Sequence, residues 1–283
     1  MTPQPGGQPW GNELAPEWIA PGIDSSQAHP ARIYDYLIGG KDNFAADREV
    51  AEQLILVRPE LREVMRANRA FLARAVRFAA ESGIRQFLDI GTGIPTAGNT
   101  HQIAQAVAPE ATVAYVDNDP MVLVHARALM AAEGLGRTTI HLGDLRDPQT
   151  ILESPEVRAA IDFSQPVGLL LFAILHFISD DDRPAEIVAT LRSALAPGSM
   201  IAISHATYNP DQLDELARFT DEYNKSASDL FIRRPADVES FFAGFDLVDP
   251  GLVPVTDWRP DPDTVPLPPH VGMRGAVGIL GSI

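Results

Sequence analysis

Between residues 86 and 205 the chain alternates short apolar runs with longer stretches in which apolar residues recur every three or four positions. The runs at 86–90, 112–117, 138–142, 167–173 and 200–205 have strand length, and the stretches at 96–107, 120–133, 184–195 and 211–225 have helical spacing. Such alternation predicts a parallel sheet covered by helices on both faces. The fourth run, Val-Gly-Leu-Leu-Leu-Phe-Ala, has no polar side, which suits a strand in the middle of the sheet. Two later apolar stretches, 245–255 and 275–280, have no helical stretch between them. They predict a closing pair of strands with one antiparallel member, joined by the Pro- and Asp-rich segment 256–274. No internal repeat is present.

A helical preface precedes the first strand. In 30–43, Ile33, Tyr34 and Leu37 share one helix face and Gly39-Gly40 ends it. A second helix is predicted over 46–56 and a third over 59–81. In the third, Leu61, Val64, Met65, Leu72, Ala75, Val76 and Ala79 keep helical spacing, with Gly83 as the stop. Residues 1–28 are rich in Pro, Gly and Gln without periodicity and read as a disordered or loosely docked tail, on which Trp10 and Trp18 are candidate anchors. The expected division is therefore a tail over 1–28, a helical cover over 29–83 and an α/β domain over 84–283.

Composition narrows the class. Of 283 residues, 45% are hydrophobic, enough for a substantial core, and no apolar run reaches the length of a membrane span. No basic region followed by an apolar stretch opens the chain, so no signal peptide is expected. The absence of cysteine removes disulfides and thiolate chemistry and agrees with a cytoplasmic setting. A net charge of −16 argues against a nucleic acid partner. The seven histidines lack metal-binding spacing, so no metal is expected. The acidic triplet Asp180, Asp181 and Asp182 precedes a helix, where negative charge is welcome.

Chemistry concentrates at the ends of the predicted strands. The first runs into Gly91-Thr92-Gly93, where bare backbone lets a ligand approach. Asp89 stands two residues ahead of the turn. There a carboxylate suits a cationic ligand better than a pyrophosphate, or else it caps backbone N–H groups of the turn. Asp117 ends the second strand, followed by Asn118, and can accept from ribose hydroxyls. Asp119 reads as the cap of the next helix. Asp144, after the third strand, can accept from an exocyclic adenine amine with Leu145 against the ring, or it is simply a polar strand end. His205 ends the fifth strand, facing the crevice, and is a candidate general base or a hydrogen-bonded strand-end histidine. His176, in an apolar run, reads as packed.

Three acidic strand ends in order are a specific pattern. Phe-Leu-Asp-Ile-Gly-Thr-Gly, Tyr-Val-Asp-Asn-Asp-Pro and Gly-Asp-Leu-Arg-Asp-Pro resemble the nucleoside-binding motifs of class I S-adenosylmethionine-dependent methyltransferases. Further, Pro-Ala-Arg-Ile-Tyr-Asp-Tyr-Leu-Ile-Gly-Gly-Lys-Asp-Asn-Phe, Arg-Ala-Asn-Arg-Ala-Phe-Leu and Leu-His-Phe-Ile resemble an actinobacterial family of such proteins, formerly a domain of unknown function. The resemblance runs from about residue 29 to the end. It implies a Rossmann-like, mostly parallel seven-stranded sheet with a reversed last strand. It also implies S-adenosyl-L-methionine at Gly91, Gly93, Asp117 and Asp144, and places Phe172, Ala173 and Ile174 beside its methionine part. Pro95 stands where a third glycine often does.

The acidic strand ends leave the cofactor's carboxylate without a partner. The segment 32–43 is therefore expected to act as a lid, with Arg32, Lys41 and Arg69 as cationic candidates and Tyr34 and Tyr36 as hydroxyl donors. The activity expected is methyl transfer to a small-molecule acceptor, without nucleic acid or membrane partners. A cofactor-binding protein without catalysis and a nicotinamide oxidoreductase are the alternatives; Asp89 and the missing third glycine weigh against the latter.

Overall fold

Five strands carry the sheet in parallel: β1 (Gln86–Ile90), β2 (Thr112–Asp117), β3 (Thr138–Leu142), β4 (Gly168–Phe172) and β5 (Met200–Ala206). In this computed structural model residues 24–96, 98–133, 138–208, 213–268 and 272–281 are described; Trp10, Trp18 and most of the expected tail lie outside them. Three shorter elements complete the sheet: β6 (Phe245–Leu247), β7 (Val253–Pro254) and β8 (Met273–Leu280), with β8 antiparallel to β5, β6 and β7. The strand order is β3-β2-β1-β4-β5-β8-β6, with β7 on β8. The chain leaves β1 toward one edge and returns through β4 toward the other. A crevice therefore opens between the carboxyl ends of β1 and β4.

Predicted and observed strands differ at the closing pair. The single strand expected over 245–255 is two, because Asp249-Pro250-Gly251 interrupts it. Proline lacks the N–H that a ladder needs, and Gly251 turns with φ +82. The sheet thus has eight strands where seven were expected. The helix expected from 96 begins instead at Thr100, as α4 below. Asn99 and Gln102 form a reciprocal cap there, which sets the helix start four residues later than expected.

The helices are α1 (Pro30–Ile38), α2 (Ala45–Val57), α3 (Leu61–Glu81), α4 (Thr100–Val107), α5 (Pro120–Glu133), α6 (Pro148–Glu153), α7 (Pro155–Ala160), α8 (Pro184–Ser193), α9 (Leu213–Ser226) and α10 (Pro235–Glu239). Three were not expected: α6, α7 and α10. Each spans under two turns, too short for a periodic pattern, and each opens on a proline.

Strand β4 shows why its sequence is apolar throughout. Leu170 and Phe172 face α3 and α4, while Leu169 and Leu171 face the layer of α6, α7 and α8. A third apolar cluster joins α1, α2 and the start of α3 to Phe219 and Tyr223 of α9 and to Leu230. The preface is therefore packed onto a helix that lies some 150 residues downstream.

Helix α3 is pinned hardest. Phe71 is fully buried, its ring 5.4 Å from that of Phe172 and 5.5 Å from that of Trp258. Its edge occupies the space that a side chain at Gly275 would need. Arg74, buried on the same helix, donates to the carbonyls of Trp258 and Val255, tying the long closing loop to the cover. Phe71→Ala should cost about 3–5 kcal/mol. Urea denaturation reads this directly, and a loss below about 1 kcal/mol would contradict the assignment of Phe71 as the anchor of α3.

Candidate functional site

The glycine turn after β1 is fixed by two constraints. Gly91 has φ +74, and a Cβ there would lie 2.7 Å from the side chain of Ile174. Its N–H donates to the carbonyl of Val116 at 2.8 Å, docking the turn on β2. Gly93, with φ +68, donates its N–H to Asp117 Oδ2 at 2.8 Å. The other oxygen, Oδ1, accepts from the N–H of Asp119 at 2.9 Å. Asp119 caps α5 as expected, accepting from Met121 at 2.8 Å.

Two carboxylates are thus enclosed at the crevice. Asp117 is 5% exposed, and burial raises its pKa to about 6 against the hydrogen bonds that hold it down. Asp89, 4% exposed, accepts from Thr100 Oγ1 at 2.6 Å, and burial raises its pKa to about 6 as well. Each Asp117 oxygen keeps a lone pair beyond its backbone partner.

A cavity of about 300 Å³ extends from this turn under the helical cover. Asp89, Gly91, Thr92, Asp117 and Asn118 line one end, with Arg69 among the polar residues of its wall. Arg69 donates to Thr96 Oγ1 at 3.2 Å and to the Gly98 carbonyl at 3.1 Å, bridging α3 to the segment after the turn. Phe172, Ala173 and Ile174 form the wall at the end of β4, where Ala173 takes φ +50. Beyond them the lining becomes apolar, with Leu37, Leu54, Met65, Phe177, Phe219 and Leu230.

The structure therefore brings together Arg69, Asp89, Gly91, Thr92, Asp117, Asn118, Phe172, Ala173 and Ile174, with Gly93 braced against Asp117 from behind. Four expected site residues stand elsewhere. Tyr36 donates its hydroxyl to Glu52 at 2.5 Å, beneath the Arg62 guanidinium and outside the cavity. Asp144 gives both oxygens to Arg146, at 2.9 Å to its N–H and 2.8 Å to its side chain. Leu145 is buried in the core on the α6 side. His205 is fully buried outside the lining. Its Nδ1 lies 2.6 Å from the Ala206 carbonyl and its Nε2 faces the Arg233 guanidinium at 3.2 Å. Burial pushes its pKa down to about 4, and the ring is enclosed outside the cavity lining instead of facing the crevice as expected.

The 32–43 segment also departs from expectation in detail. Arg32 is buried and committed to Asp47 at 3.0 Å and to the Gln27 carbonyl, and Lys41 lies outside the cavity. Gly39 is the left-handed cap of α1, and a side chain at Gly40 would overlap the Asp35 carboxylate. The glycine pair is a built corner.

Among the lining residues that the sequence reading missed or set aside are His29, Asn68 and His176. His29 Nδ1 approaches Asp119 Oδ2 to 3.0 Å without hydrogen-bond geometry, and nothing in the sequence signals that contact. Asn68 breaks the apolar stripe of α3, a signal that was available. His176 accepts from the Ala206 N–H through Nδ1 and is kept neutral by burial.

A parallel sheet with a switch in strand order, a glycine turn after its first strand and a buried carboxylate ending the second define a Rossmann-like domain for a nucleoside cofactor. The donor set fits a cationic cofactor: two carboxylates flank the turn. The S-adenosyl methyltransferase family model matches residues 16–281, and the chain belongs to that family. It is an S-adenosylmethionine-dependent methyltransferase, with S-adenosylmethionine as its cofactor.

Among solved structures, a protein from Thermobifida fusca described as a candidate methyltransferase is 40% identical, with TM-score 0.86, covering 94% of this chain and 99% of that one. A DUF574 family protein from Streptomyces avermitilis is 45% identical, with TM-score 0.86, covering 90% and 98%. An O-methyltransferase family protein from Burkholderia thailandensis, 16% identical with TM-score 0.53 over 84% of this chain and 60% of that one, shares the fold. No curated protein matches the chain. Among the described residues no helix is long and apolar enough to cross a membrane.

The raised pKa values carry a stability signature. Asp89 and Asp117 titrate near 6 in the fold against an ordinary 3.8, so the native chain holds their protons to higher pH. The stability from these protonated groups is complete below about pH 4 and is lost as pH rises through 6. In the cofactor-free protein, Asp89→Asn should flatten the fall in unfolding free energy between pH 4 and 7 by about 1–3 kcal/mol. Denaturation across that range tests it; a slope equal to that of the unaltered protein would contradict the assignment.

Proposed function

We propose that the chain methylates a small, predominantly apolar acceptor held between the glycine turn and the helical cover. The observation that carries this reading is the cavity itself. It runs without interruption from Gly91 and Asp117 into a chamber walled by Leu37, Leu54, Met65, Phe219 and Leu230. An acidic chain of net charge −16 and an apolar chamber both favour a small molecule over a nucleic acid.

On this reading Asp117 accepts from the ribose hydroxyls through its free lone pairs, and the bare backbone of Gly91 and Gly93 lets the nucleoside lie close. Asp89 supplies negative charge near the cationic end, and Arg69 provides the guanidinium for the carboxylate. Phe172, Ala173 and Ile174 back the methionine part. When bound, S-adenosylmethionine supplies an electrophilic methyl group. The chain's contribution is position and the exclusion of water. The cover and α9 close an apolar space in which an acceptor is held without competing solvent. Neither His176 nor His205 serves as a base, since His205 is enclosed outside the cavity lining and His176 is engaged with the Ala206 N–H.

Incubation with methyl-labelled cofactor and extracts of small molecules, protein and nucleic acid should put label into the organic-extractable fraction. Label confined to nucleic acid or protein would overturn the small-acceptor reading. Asp117→Ala should weaken cofactor binding about tenfold or more at pH 7.5 while the fold survives, as calorimetry and circular dichroism would show. A proton on Asp117 competes with the ribose for its lone pairs. Affinity in the unaltered protein should therefore rise about tenfold from pH 5 to pH 7 and level off above it, with the variant showing less of this dependence. Equal affinities for the two proteins would remove Asp117 from the site.

A further inference from the structure

The face of α3 that lines the cavity carries Leu61, Val64, Met65, Asn68, Arg69 and Leu72: four apolar side chains, one amide, and the guanidinium that bridges to the segment after the glycine turn. Asn68 is 2% exposed. Its Nδ2 donates to the Tyr34 hydroxyl at 3.1 Å, and that hydroxyl donates its single proton to the Met65 carbonyl, also at 3.1 Å. A hydroxyl whose proton is already committed can only accept from the amide. The amide is thereby oriented, with its NH₂ on Tyr34 and Oδ1 on the other side. Burial keeps the Tyr34 hydroxyl protonated, so this orientation holds across the working pH range. Oδ1 is enclosed and has no hydrogen-bond partner.

A buried amide oxygen without a partner carries a desolvation cost of about 1–3 kcal/mol, so enclosed acceptors in folded proteins are nearly always matched. Here the unmatched acceptor belongs to a residue of the cavity wall, set in an apolar stripe. We propose that Asn68 is a specificity-determining residue whose Oδ1 receives a hydroxyl or neutral amine N–H on an otherwise apolar methyl acceptor. This rests on the reading above that the chamber holds such an acceptor. A single acceptor atom matches a neutral group with one proton to give. An ammonium, with three N–H donors, would leave two unmet among Val64, Met65 and Leu72. The role is positional: an amide takes no proton. The acceptor's polar group is held at the one uncharged polar side chain of that face, and a hydrocarbon lacking that group leaves the cost standing.

The test uses 2-naphthol and 2-methoxynaphthalene, which share a ring system and differ in whether the oxygen carries a proton. Binding of each to the protein saturated with S-adenosylhomocysteine is measured by calorimetry or fluorescence. The unaltered protein should prefer 2-naphthol about fivefold or more. Asn68→Leu should bring the two within about twofold while leaving S-adenosylhomocysteine affinity unchanged. Tyr34→Phe, which deletes only the group that orients the amide, should also lower the preference and keeps the test open if the leucine variant does not fold. Equal binding of the two probes by the unaltered protein would overturn the proposal. So would a loss of S-adenosylhomocysteine affinity in Asn68→Leu with the naphthol preference intact, which would assign Oδ1 to the cofactor's ammonium. Failure of both probes to bind would instead overturn the apolar-chamber reading, and the proposal with it.

Discussion

The site depends on a carboxylate kept inside the protein without a cation beside it. Asp117 is enclosed at the end of β2, and the groups that reconcile it to burial are backbone N–H donors from Gly93 and Asp119. Those two bonds do different things. The first ties the turn after β1 to the end of β2, so the loop nearest the cofactor has its path set by a side chain on the neighbouring strand. The second folds Asp119 back to begin α5. A cation would neutralise Asp117 and compete with a ribose for its oxygens. Backbone donors leave half of its accepting capacity in place, at the cost of a raised pKa.

The parallel sheet was legible because its central strands are apolar on both faces and, except between β3 and β4, its strands are separated by helices of more than two turns. What broke the reading was local. Asp249-Pro250-Gly251 divides the strand expected over 245–255, a signal present in the sequence but overruled by the apolar residues around it. Helices α6 and α7 hid because six residues carry no period. Helix α4 begins later than Pro95 suggests, because the Asn99 and Gln102 cap outcompetes the proline as a starting point.

The cofactor end of the site was readable from spacing, since Gly91, Gly93, Asp89 and Asp117 lie at strand ends whose positions the pattern gives. The departures from the expected site share one feature, a partner inside the chain. Asp144, Tyr36 and Arg32 are polar residues that proximity in sequence nominates for a ligand, and in the fold each finds a partner within the chain: Arg146, Glu52 and Asp47. His205 stands at the correct strand end, but Arg233, from the segment after α9, closes over it. Apart from Arg146, two residues from Asp144, these partners lie 15 to 28 residues away and leave no mark on local pattern. The chamber shares this property, because its walls come from α1, α2, α3 and α9 and no single stretch contains it.

The N-terminal end of the cover reaches the cofactor strand through a short relay. Arg32, on α1, is bound to Asp47 of α2, and its guanidinium lies 3.7 Å from Asp119, which His29 also approaches. Asp119 in turn donates its N–H to Asp117. Two events usually treated apart, the seating of the cover on the sheet and the occupation of the nucleoside end, therefore share one carboxylate pair. Reciprocity follows from thermodynamics alone: whatever factor a seated cover contributes to cofactor affinity, bound cofactor returns to the seating of the cover.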